Sequence, residues 1–164
     1  MIAARVRSTT LRGPETELSG GDPYRAKLKF RDGTRCPGCG AVYRAGMWAV
    51  DADAMLGVYE ALCPSCHRVR DCLPAGYLRI DAHFAVAHRD QILQLLEDQH
   101  DIFCRAEPLA RIMSMQDCDG AIEVTTTDAE LARSLGEALQ TEYGGEIVLR
   151  YNEAHHPVRV LWQP

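Results

Sequence analysis

Residues 36–66 read CPGCGAVYRAGMWAVDADAMLGVYEALCPSC, and the two ends of this stretch decide what the middle must do. Cys36-Pro37-Gly38-Cys39-Gly40 and Cys63-Pro64-Ser65-Cys66 are Cys-x-x-Cys knuckles with residues 40–62 between them. Two thiolates spaced by two residues can take adjacent corners of a tetrahedron about 2.3 Å from a zinc ion, while N–H groups of the turn point at the sulfurs. Pro37 and Pro64 restrict each turn in advance, and Gly40 supplies permissive backbone just past the second ligand. The spacing between knuckles slightly exceeds the roughly 15 to 20 residues usual for such sites, which requires only a longer loop. The predicted ligands are therefore Cys36, Cys39, Cys63 and Cys66, holding one structural Zn2+. Four thiolates on zinc leave a charge of about −2, and Arg35, Arg68 and Arg70 stand close enough in the chain to offset it. A closed site of this kind has no open position for Lewis-acid chemistry, so the metal is expected to hold structure rather than to react.

Two competing readings of the knuckles are a thiol redox pair, for which one Cys-x-x-Cys suffices, and c-type haem attachment. Cys63-Pro64-Ser65-Cys66-His67 does match Cys-x-x-Cys-His. Covalent haem, however, belongs to exported proteins and would leave the first knuckle without a purpose. His67 then reads as a neighbour of the site or a surface residue. The odd count of seven cysteines argues against a disulfide framework. Cys72, Cys104 and Cys118 need no function beyond filling apolar space.

Working outward, the 164 residues are 46% apolar and 25% charged, which suits one moderate globular domain with a small accessory module. Charged residues interrupt every apolar stretch well short of the roughly 18 to 20 residues that a membrane span needs. Arg5, Arg7 and Arg12 break up the first residues, where a secretory signal would have an apolar core. The expected location is the cytoplasm. The net charge of −5 is an average of unlike parts: residues 1–46 are basic and the remainder strongly acidic. A basic arm on an acidic body can dock on a polyanion, although a solvated terminus explains the same charges.

Residues 1–24 contain Gly13-Pro14 and Ser19-Gly20-Gly21-Asp22-Pro23, linker chemistry that reads as a flexible arm. Residues 25–76 form the expected zinc-ribbon module, with a short strand over 47–50, a link through 58–62, and Pro74-Ala75-Gly76 closing it. Residues 77–164 form the α+β domain. A strand is predicted over 77–80 and a helix over 81–105, on which Phe84, Ile92, Leu95, Leu96 and Phe103 recur at helical spacing. A strand over 109–115 follows Pro108, and Asp117-Cys118-Asp119-Gly120 is a hairpin turn into a strand over 121–126. Thr127-x-x-Glu130 reads as a capping box for a helix with Leu131, Leu135 and Leu139 inward, stopped by Gly144-Gly145. Strands over 146–151 and 158–162 finish the chain, with His155-His156 in the turn between them. The expected fold is α+β: a four-cysteine ribbon, then a small antiparallel sheet with packed helices in ferredoxin-like or KH-like layering.

Several further motifs accompany the knuckles: Arg68 and Asp71, Pro74-Ala75-Gly76, His88-Arg89-Asp90, residues 108–113 (PLARIM), residues 124–128 (VTTTD), Leu131-Ala132-Arg133 and residues 136–139 (GEAL). Together, over about residues 35–163, they resemble a bacterial family of short zinc-ribbon proteins of unassigned function. That family is in turn distantly similar to the N-terminal part of the large-ribosomal-subunit nuclear export adaptor, which carries more knuckle cysteines than the four here. The resemblance implies a non-catalytic binding protein associated with the ribosome or RNA, with Arg35, Arg44, Arg68 and Arg70 available for phosphates. A protein-interaction or regulatory adaptor without nucleic acid is the alternative, supported by Glu97, Asp98 and Asp101 on one helix. An enzyme is not expected. His83 and His88 lie about 140° apart around a helix, there is no phosphate-binding Gly-x-x-x-x-Gly-Lys loop or Gly-x-Ser-x-Gly elbow, and no small-molecule substrate is evident.

Overall fold

A computed structural model of the chain describes residues 6–10, 24, 29–50, 59–151 and 157–164. The linker stretches Gly13-Pro14 and Ser19–Pro23 and the His155-His156 turn lie outside the described residues. Val6–Thr10 forms β1, so part of the segment read as an arm is a sheet edge. The ribbon follows, with β2 (Thr34–Arg35), β3 (Val42–Arg44), β4 (Met47–Ala49) and β5 (Tyr59–Glu60) in the order β4-β3-β2-β5. Ala45 and Gly46 turn the β3-β4 hairpin with positive φ at both positions, as a tight two-residue turn requires.

The second knuckle runs directly into a helix that was not expected. Cys63 caps α1 (Pro64–Asp71), its sulfur receiving the Cys66 N–H, and Pro64 occupies the first turn, where a missing N–H costs nothing. β6 (Gly76–Ile80) then enters the main sheet, followed by α2 (Ala82–Cys104), β7 (Ile112–Cys118), β8 (Ala121–Thr126), α3 (Ala129–Tyr143), β9 (Glu146–Tyr151) and β10 (Val158–Gln163). Asp81 caps α2 by accepting the Phe84 N–H at 3.2 Å. The helix is broken at His88, whose φ of −127° and ψ of 22° are not helical and whose ring lies 4.3 Å from that of Phe84.

The six-stranded sheet has the order β1-β9-β10-β6-β8-β7. β6, α2 and β7 with β8 inserted between the strands make the split β-α-β of ferredoxin-like layering. The second half departs from it. α3 leads into the β9-β10 hairpin, and its return strand β10 lies parallel to β6, while β1 lies parallel to β9. The expected antiparallel sheet is therefore mixed, because the hairpin reverses the chain once more before it meets the centre. α2 and α3 pack on one face, where Leu78, Ile80, Ile122, Val124, Val160 and Trp162 meet Ile92, Leu96, Leu131, Leu135 and Leu139. Each such side chain contributes about 1.5–3 kcal/mol on burial. Gly136 lets α3 sit this close, since a Cβ there would lie 2.8 Å from Val160 Cγ1.

Both ends of β7 and the cap of α3 differ from the sequence reading. β7 begins at Ile112 rather than 109, because the Ala110 N–H closes a turn onto Glu107 O at 2.9 Å and Leu109 packs against the cysteine cluster. It runs on to Cys118, held to Ala121 across the Asp119-Gly120 turn. The cap of α3 is Asp128, which accepts the N–H groups of Glu130 and Leu131 at 2.8 and 3.2 Å. Thr127, read as the cap, instead accepts the Arg111 N–H at 2.9 Å.

Candidate metal centre

The loop before β3 and the start of α1 bring Cys36, Cys39, Cys63 and Cys66 together, with all four sulfurs within 4.8 Å of one another. Cys36 and Cys63 are fully buried and Cys66 is nearly so. The closeness has a local cause. The first knuckle is a tight turn, closed by Gly40 N–H on Cys36 O at 2.8 Å and Cys36 N–H on Ala41 O at 2.7 Å. Gly40 takes a φ of 77°, the left-handed conformation that its position predicted. Gly38 is required for a reason the sequence did not disclose: a Cβ there would lie 2.9 Å from Cys66 Sγ.

The donor set can hold one metal ion. Cys39 Sγ and Cys63 Sγ are 3.7 Å apart, matching the roughly 3.8 Å edge of a tetrahedron with 2.3 Å metal–sulfur bonds. The Cys63 N–H points at Cys36 Sγ from 3.3 Å, and the Cys66 N–H at Cys63 Sγ from 3.5 Å, as thiolates in a metal turn require. Burial pushes the Cys36 thiol up, but hydrogen bonds from Cys63, Cys39 and Gly38 outweigh it and bring its pKa to about 7. Burial raises both Cys63 and Cys66, and neighbouring sulfur charges raise Cys63 further. Without a cation Cys63 and Cys66 are thus thiols, and a metal ion among the sulfurs would favour the thiolate form of all four.

A guanidinium from the main domain completes the surroundings. Arg111 Nη1 donates to Cys66 Sγ at 3.4 Å, from 45 positions further along the chain. Burial lowers the pKa of this group, but Cys39 and Cys66 beside it raise it, and the net shift is upward. Arg111 is aimed by its own backbone, which exchanges hydrogen bonds with Thr127. Sequence reasoning missed it because nothing local to the knuckles points to residue 111.

The arginines that the sequence nominated are placed variously. Arg35 and Arg44 are exposed on β2 and β3. Arg68 is buried, donating to Leu73 O at 3.0 Å and lying 4.6 Å from the Tyr24 ring centroid. Arg70 is exposed, pairing with Asp71 at 2.8 Å and donating to His67 Nδ1 at 3.0 Å. His67 is half-buried, with its ring 6.2 Å from that of Tyr24, and is not among the grouped metal-ligating side chains. Cys72 ends α1 with a positive φ, and Cys118 faces Glu123. Cys104 lies 3.2 Å from His100 Nε2 and donates to Ala110 O. Burial and Asp101 raise its pKa, so it is a thiol rather than a nucleophilic thiolate. No described helix is long and apolar enough to cross a membrane. Comparison of the chain with protein-family models, curated proteins and solved structures found no match.

Proposed function

We propose that the chain is a non-catalytic zinc-ribbon protein that binds RNA or the ribosome. The observation that carries this reading is the closed set of four cysteine sulfurs, three of them buried. Thiolates select a soft or borderline ion, tetrahedral geometry favours zinc, and four protein ligands leave no position for substrate or water. The metal would then organise a module whose exposed strands carry Arg35 and Arg44, the two nominated cations best placed for phosphates. The motif resemblance described above points in the same direction. A cytoplasmic location accords with ribosome association.

The second reading, a protein adaptor without nucleic acid, is favoured by the exposed acids Glu97, Asp98 and Asp101 on α2. Sedimentation of cell extracts through sucrose separates the two. Association with ribosomal particles that weakens steeply with added salt is the expected result. A stoichiometric protein partner that is insensitive to ribonuclease, with the chain absent from the ribosomal fractions, would contradict it.

A further inference from the structure

The main sheet has two chemically different sides. Its helical layer is acidic: α2 carries Asp90, Glu97, Asp98 and Asp101 against Arg89, and α3 carries three glutamates against Arg133. Both helices lie on that side, and strand alternation turns the remaining side chains to the other face. There Arg150 stands directly opposite Arg159, Arg159 opposite Tyr77, Tyr77 opposite Thr125, and Thr125 opposite Ser114. The row crosses five neighbouring strands, a span of about 19 Å at the usual strand spacing.

Its chemistry is not that of a solvated face alone. Arg159 Cζ lies 4.3 Å from the Tyr77 ring centroid, a preformed cation–aromatic stack. Ser114 and Thr125 share a hydroxyl hydrogen bond of 2.7 Å. The next row neutralises itself, with Arg79 on Glu123 at 3.2 Å. Arg150 and Arg159 are both exposed, and neither has a carboxylate at ion-pair distance among the described residues. Like charges directly opposite on antiparallel strands repel, so this pair costs stability unless an anion bridges it.

We infer that this face binds single-stranded RNA, with Arg150 and Arg159 holding successive phosphates and the Tyr77–Arg159 stack presenting a surface to a base. Thr125 and Ser114 supply hydroxyls for sugar or base edges. A flat row with one aromatic and flanking hydroxyls suits splayed bases rather than a duplex. The acidic helical side would repel the same polyanion, which fixes the side that docks. The inference rests on the RNA reading above and assigns it to the sheet rather than to the ribbon.

The test uses the full-length, metal-loaded chain and a fluorescent oligouridine of about twelve nucleotides, read by anisotropy over a range of salt. R150Q/R159Q is expected to weaken binding by more than tenfold and to reduce the log–log salt slope by about 1.4, or about 0.7 per phosphate contact. Its thermal midpoint should hold or rise, because a repulsion has been removed. R159K, which keeps the charge but loses the planar stack, should fall between the two. Wild-type affinity in R150Q/R159Q together with loss of binding in R35Q/R44Q would overturn the inference and leave the RNA reading standing. No binding by the unmodified chain would sink both, and preference for a polyglutamate peptide over the RNA would assign the face to a protein partner.

Discussion

Cysteine sulfurs and one arginine set the character of the ribbon. Cys36, Cys39, Cys63 and Cys66 were legible because metal chemistry constrains spacing within a turn, and a knuckle is entirely local. Arg111 was not legible, because its approach to Cys66 depends on how the main domain docks on the ribbon. Gly38 was passed over in favour of Gly40 for the same reason: its neighbour at 2.9 Å comes from the other knuckle. Residues that support a metal ligand from outside the ligand set typically contribute 10- to 100-fold in affinity, so Arg111→Met should weaken zinc binding by about that factor. Competition with a chromophoric chelator measures it. An unchanged affinity would mean that Arg111 serves docking alone.

At the level of elements, the periodicities of residues 77–164 located β6 to β10 and both long helices among the described residues, most cleanly β8, β9 and β10, where buried and less buried positions alternate, and least cleanly β7, whose register shifts between Ile112 and Ser114. The failures fall where tertiary hydrogen bonds compete with local rules. Thr127 and Glu130 spell a capping box, yet Thr127 Oγ1 is drawn to the Arg111 N–H and the cap passes to Asp128. Glu130 reaches Arg133 instead, at 3.4 Å on the exposed side. Asp128→Ala should therefore cost about 0.5–2 kcal/mol, whereas Glu130→Gln, which loses only a surface pair, should cost a few tenths at most. Urea unfolding monitored by circular dichroism checks the pair, and equal losses would restore the capping box. The kink at His88 was equally invisible from sequence, since Phe84 and Ile92 keep helical spacing on either side of it.

For the whole molecule, the charge division that the chain shows along its length is overlaid by one through its thickness. Sequence shows a basic beginning and an acidic remainder. Folding places four acids on α2 and three on α3, and sets Arg150 beside Arg159 on the open side of the sheet. That arrangement depends on the β9-β10 register and on the parallel pairing of β10 with β6, neither of which any local motif encodes. The ribbon has a small core of Cys36, Ala41, Cys63 and Cys66, and on the zinc reading its folding would depend on the ion. The character of the ribbon accordingly depends on what those sulfurs hold. X-ray absorption at the zinc edge of the purified chain, combined with metal analysis, tests this directly. The predicted result is about one zinc per chain, bound by four sulfurs at about 2.3 Å with no nitrogen or oxygen in the shell. A shell containing nitrogen or oxygen, the absence of zinc, or a haem absorption band would contradict the closed four-thiolate site.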